Sequence, residues 1–239
     1  MVFMCLSALH FGMIFLLVAK KSTTLFKSPV TRYFIAALLT GSLFVSLGLK
    51  MTGTYDTFAE SFRHGFFQTI SLATSTGFAT ADSSVWPGFI ILLLFFFTLQ
   101  CGCSGSTSGG IKADRILISV FSFKAQITKR LHPKSVVPAR IGGHTLDSEM
   151  VSGVNLFIVF YLFCVLISSL LLTVTGIDIM DAVSATAAHI GNVGTGFGNV
   201  GSMSNYNAFN GFAKFVVSLV SIIGRIELFG FFILFSSRK

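Results

Sequence analysis

"ATSTGFAT", residues 73–80, stops a short helical pattern with three threonines, a serine and a glycine, and "GNVGTGFGN", residues 191–199, stops another with four glycines, two asparagines and a threonine. What such turns mean depends on the medium around them. The chain of 239 residues has 28 phenylalanines and only 11% charged residues, against about 25% in a globular protein. Its mean hydropathy is +0.81. This composition belongs to an integral membrane protein. Irregular backbone at membrane depth survives only where it lines a watery cavity or is buried in protein. An unpaired carbonyl in lipid costs several kcal/mol. Glycine lets successive carbonyls aim one way, and a dehydrated cation can take them in place of its water.

Outward from the two turns, the chain repeats itself. Apolar segments long enough to cross a core of roughly 30 Å lie near residues 3–19, 33–49, 86–103, 151–174 and 208–235. Segments 58–73 and 178–191, just before the turns, are too short and polar to span and read as re-entrant helices. Long helix, short helix, glycine turn and long helix thus occur twice, and Gly77 and Gly194 lie 117 positions apart. Glycines in membrane helices also serve close packing, but recurrence at matching places favours the carbonyl reading.

Charge orients the spans. Lys20, Lys21, Lys27, Arg32, Lys112, Arg115, Lys124, Lys129, Arg130, Lys134, Arg140, Arg238 and Lys239 fall on one side, thirteen of seventeen basic residues, and the positive-inside rule makes that side cytoplasmic. Asp56, Glu60, Asp178 and Asp181 fall opposite, and Trp86 with Pro87 reads as an outer interfacial anchor starting the third crossing. The net charge of +8 is topological rather than a nucleic-acid surface, because the basic residues sit in tracts between apolar segments. No secretory leader is evident. Cys5, Cys101, Cys103 and Cys164 are spaced for neither zinc nor a disulfide framework and read as packing residues. His10 and His189 read as core histidines. The expected fold is an all-α integral membrane protein with two helix, pore-helix, helix repeats and one preceding helix.

Two features stand outside the repeat. "QCGCSGSTSGGIK", residues 100–112, interrupts the third crossing with four glycines and three serines. Each glycine costs helix stability by roughly 1 kcal/mol, which suits a segment with two conformations, although tight helix packing is the alternative. Arg225 lies in the final crossing, where facing lipid would cost about 2.5–3.5 kcal/mol, so it is expected to face the pore; a structural ion pair is the alternative.

The turn Thr74 to Phe78, the stretch "GCSGSTSGGIK", the turn Asn192 to Gly196 and "GRIELF" at 224–229 together resemble the Trk/Ktr/HKT superfamily of potassium transporters, its TrkH-like branch. The resemblance implies the third and fourth of four repeats. The expected divisions are 1–21, the end of a preceding transmembrane helix; 22–131, the repeat resembling the third; 132–148, a cytoplasmic linker read as a loop; and 149–239, the repeat resembling the fourth. It implies a selectivity filter formed by Thr74, Ser75, Thr76, Gly77 and Phe78 with Asn192, Val193, Gly194, Thr195 and Gly196, potassium being held at Ser75, Thr76, Asn192 and Val193. Thr195 stands where the family usually has proline. It implies a gate at Gly102, Ser104, Gly105, Ser106, Thr107, Ser108, Gly109 and Gly110, with Lys112 read either as a second gate charge or as a snorkelling topology signal, and Arg225 as a charge barrier to cations.

The implied function is potassium uptake across a bacterial inner membrane, with no covalent cofactor and potassium as the transported ligand. The implied partners are membrane lipid, a missing N-terminal half or second chain, a homodimer mate and a cytosolic nucleotide-binding regulatory ring on the basic surface around 112–145. Two other classes compete: a non-conducting subunit or truncated fragment, and an intramembrane serine protease of the rhomboid type built on Ser104, which requires His189 to reach it. A phosphate-binding loop is rejected, because Ile111 intrudes before Lys112 and Ala113 replaces the hydroxyl residue.

Overall fold

The computed structural model describes residues 1–20, 24–132 and 138–226. Lys21, Lys134, residues 227–229 of the "GRIELF" motif, the end of the final crossing and the pair Arg238 and Lys239 lie outside the described residues. Ten α-helices occur among the described residues: α1 Val2–Ser7, α2 Phe11–Lys20, α3 Thr24–Lys27, α4 Pro29–Met51, α5 Phe58–Ala73, α6 Gly88–Gln100, α7 Ala113–Leu131, α8 Ser148–Val174, α9 Ile179–Ile190 and α10 Gly211–Ile226. Of these, α4 and α8 are long and apolar enough to cross a membrane, and α6 is a shorter apolar helix.

The two short helices form where the pattern placed them, for local reasons. Thr57 caps α5 by accepting the Glu60 N–H at 3.2 Å, and Asp178 caps α9 by accepting the Met180 N–H at 3.0 Å. Each packs against its long partner, α5 on α4 and α9 on α8 and α10. The core is divided accordingly: Val45, Leu72, Ile90 and Leu94 fill one cluster, and Phe157, Tyr161, Leu172, Ala185 and Val217 another.

Three expectations need correction. The first apolar run is not one helix: it breaks at Ala8 to His10, where the Ala8 carbonyl accepts the Cys103 N–H at 2.9 Å and the Phe11 N–H donates to the Gly105 carbonyl at 3.1 Å. Long-range partners replace the helical ladder there. Trp86 is 3% exposed, its ring edge-on to Tyr55 at 6.5 Å, so it is a core residue and not a surface anchor, and α6 starts only at Gly88 with Pro87 as its cap. The linker is not all loop. Gly142 and Gly143, both at positive φ, turn a small hairpin, β1 Arg140–Ile141 against β2 His144–Thr145.

Helix α6 has 13 residues, which is about 20 Å of rise. It stops short of a full crossing, and α7 resumes after a loop at 101–112. The loop's ends are pinned to each other. The N–H groups of Ile111, Lys112 and Ala113 donate to the carbonyls of Leu99, Gln100 and Gly102 at 3.0, 2.8 and 2.9 Å, supplying donors that the end of α6 otherwise lacks.

Candidate functional site

The two turns share one backbone. Ser75 and Asn192 have φ of 53° and 54°, and Gly77 and Gly194 have φ of 76° and 89°. Thr74, Ser75 and Thr76 donate their N–H groups to Ile70, Leu72 and Ser71, and Gly191, Asn192 and Val193 donate theirs to Ala187, His189 and Ala188. Every one of these bonds recurs at the 117-residue offset. The N–H groups thus fold back onto the pore helix, and the carbonyls are released. Left-handed backbone costs roughly 1–2 kcal/mol for a residue with a side chain, so Ser75 and Asn192 are held there by the bonds around them.

The turns also meet. A Cβ added at Gly77 collides with the Val193 carbonyl oxygen, so the two backbones lie in contact. Among the described residues, no donor occupies the carbonyls of Ser75, Thr76, Asn192 or Val193. The other turn residues divide. The Thr74 carbonyl accepts the Ser108 hydroxyl at 3.0 Å, that of Phe78 accepts the Ser71 hydroxyl at 2.6 Å, and that of Gly194 accepts the Tyr206 hydroxyl at 3.0 Å. Gly196 donates its N–H to the Val200 carbonyl at 3.0 Å, and Thr195 lies between these two anchored glycines.

The glycine loop abuts both turns. Ser108 reaches the first through Thr74, and a Cβ on Gly109 would lie 2.5 Å from the Gly191 carbonyl oxygen, so only glycine fits beneath the second. Thr107 presents its carbonyl to Arg225 Nη1 at 2.9 Å. Inside the loop, the Ser106 hydroxyl donates to Cys103 and accepts the Ser108 N–H, and the Ser104 N–H donates to the Asp114 carboxylate. Gly102 packs on Ser108, Gly105 on the His10 ring and Gly110 on the Cys101 sulfur. A cavity of about 390 Å³ is lined by Ser106 to Gly110, Lys112, Tyr161 and Arg225, with Lys112 buried. Arg225 therefore stands beside the loop.

Beyond the turns, the two repeats are stitched together. The Ser202 hydroxyl donates to the Ala81 carbonyl at 3.0 Å and accepts the Ser83 N–H at 3.1 Å, and the Ser84 hydroxyl donates to the Gly198 carbonyl at 3.0 Å. Sequence reasoning missed Ser202 and Tyr206, because no periodicity marks a lone hydroxyl in a loop. Burial pushes the Tyr206 phenol up to about 12, which keeps its proton available for Gly194. His189 Nδ1 bonds the Ser221 hydroxyl at 2.8 Å and its ring packs edge-on against Tyr206, within the α9–α10 side of the molecule. All four cysteines are free, and no metal-holding group of His, Cys, Asp and Glu occurs among the described residues.

Known proteins share this fold. The profile of the TrkH family, described as "Cation transport protein", matches residues 2–239. The chain is 32% identical over 184 residues to the Trk system potassium uptake protein TrkH of Vibrio parahaemolyticus, covering 76% of this chain and 38% of that protein. It is 30% identical over 177 residues to TrkH of Halomonas elongata, covering 74% and 36% respectively. The crystal structure of the potassium transporter TrkH from Vibrio parahaemolyticus superposes with a TM-score of 0.89 at 32% identity, over 98% of this chain and 50% of that one. The chain thus spans less than two fifths of the length of these curated relatives and half of the solved chain.

Proposed function

The chain belongs to the TrkH family of cation transport proteins, and from that premise we propose that it forms half of a potassium pathway through a bacterial inner membrane. The observation that carries this reading is the matched pair of turns in contact, with the carbonyls of Ser75, Thr76, Asn192 and Val193 open. A potassium ion sheds water there and takes carbonyl oxygen instead. Two turns supply half a ring of oxygens. The other half comes from further repeats, on an upstream segment or a second chain.

The loop 102–110 is the gate. It lies against both turns and is strapped to the first by one neutral hydrogen bond, Ser108 to Thr74, worth about 0.5–1.5 kcal/mol. Cys103 and Gly105 bond the α1–α2 break and Thr107 bonds Arg225 as well, so opening exchanges several modest hydrogen bonds, and the balance of closed and open populations follows their sum. Arg225, fixed on Thr107, adds a positive charge beside the loop and raises the barrier for a cation while the loop is closed. Lys112, in the same cavity, is a second gate charge. A homodimer mate, surrounding lipid and a cytosolic nucleotide-binding ring seated on the basic surface around 112–145 complete the working assembly.

Ion flux through the completed pore in proteoliposomes tests this. Potassium should pass in preference to sodium, and Gly77→Ser should reduce that preference about tenfold, the equivalent of 1.4 kcal/mol at one site. An unchanged preference in folded protein would remove the filter assignment.

A further inference from the structure

Asp181 is a carboxylate with 6% exposure in the first turn of α9. Burying an ionised carboxylate is costly unless it is well bonded or paired. Among the described residues it meets no cationic side chain. Its partners are neutral: Oδ1 accepts the Asn199 N–H at 2.9 Å and Oδ2 accepts the Asn199 side-chain amide at 2.8 Å. A Cβ on Gly198 would collide with Oδ1, and Gly198 has φ of 73°, so glycine is required where the chain leaves the second turn. The first repeat has a counterpart. His64 occupies the same repeat position as Asp181, 117 residues earlier, and its Nδ1 bonds the Thr80 hydroxyl at 3.0 Å, just beyond the first turn. One pore-helix position in each repeat therefore ties down the strand leaving its turn.

Resting on the filter reading above, we infer that Asp181 is a positioning and specificity-determining residue of the potassium pathway. It fixes the exit strand of the second turn by bonding Asn199, and its negative charge, at the opposite end of α9 from Asn192 and about 15 Å of helical rise away, favours a cation at the mouth of the exit strand. A buried charge without a counter-ion acts through low dielectric on whatever cation stands nearby. The helix N-terminus beneath it, with Asp178 as cap, offsets part of its burial. Discrimination between ions needs the carbonyls of Asn192 and Val193 held at one spacing, and a rigid exit strand supplies that.

The experiment measures potassium and sodium uptake by the complete transporter in proteoliposomes. Asp181→Asn removes the charge at constant shape and sets an amide against the two Asn199 donors. Half-saturating potassium should rise about tenfold and the potassium-over-sodium preference should fall about tenfold, as expected for a lost charge-assisted bond. Asn199→Ala keeps the charge and removes one donor; here the preference should fall while half-saturating potassium changes less than in Asp181→Asn. Unchanged values of both quantities in Asp181→Asn overturn the inference. Should Asp181→Asn not fold, Asn199→Ala decides, and an unaltered preference there overturns it. Gly194→Ser run in parallel separates the two levels: if it alters the preference and the Asp181 and Asn199 variants do not, only the role of Asp181 falls, and if none does, the filter reading falls as well.

Discussion

Gly194 illustrates how much of the site rests on single residues. Its φ of 89° and its carbonyl bond to Tyr206 fix the end of the open pair formed by Asn192 and Val193. Gly194→Ser places a side chain in left-handed backbone at a cost of about 1–2 kcal/mol and is expected to weaken potassium selectivity by about tenfold, read as a permeability ratio. At Arg225 the expected outcome differs in sign: Arg225→Ala removes both the charge and the bond to Thr107, so potassium flux should rise with assembly unchanged. Lost assembly with no gain in flux would assign the residue to structure instead. The two turns were legible in sequence because glycine at a matched offset is a physical requirement of their backbone. Ser202 and Tyr206 were not, since a hydroxyl's partner 121 or 12 residues away leaves no mark on local pattern.

Among the elements, the re-entrant helices were readable almost to the residue. Segments 58–73 and 178–191 became α5 Phe58–Ala73 and α9 Ile179–Ile190, since caps and breakers act locally. The break between α1 and α2 was hidden, because the bonds that enforce it come from Cys103 and Gly105 far along the chain. Trp86 was misplaced for a related reason: a tryptophan before a spanning helix fits an interface or a core, and only the packing of Tyr55 decides. The loop after α6 follows from its composition, and its ends are pinned to each other by the N–H groups of Ile111, Lys112 and Ala113. Removing residues 104–107, which takes out the Thr107 contact and draws Ser108 away from Thr74, should raise potassium flux several-fold relative to the parent in the same vesicles. Unaltered or lower flux from well-folded protein would reject the loop as a gate. A milder change, Ser108→Ala, removes about 0.5–1.5 kcal/mol of restraint and should raise flux to a smaller extent.

For the whole molecule, the two repeats hold together through the α6 and α9 contact and the stitch around Ser202. Ser202→Ala removes a donor and an acceptor between repeats and should lower stability by about 1–3 kcal/mol, seen as a reduced thermal midpoint in detergent. The repeat itself was legible from the 117-residue offset, and the structure carries that symmetry down to individual backbone bonds. The proposed pathway takes half a ring of oxygens from this chain, and that proposal requires the complement for conduction. The most direct measurement is anomalous scattering from rubidium or thallium in crystals of the completed pore. The expected result is density in direct coordination distance of the carbonyls of Ser75, Thr76, Asn192 and Val193. Density confined to other sites, with those four oxygens facing none, would contradict the account.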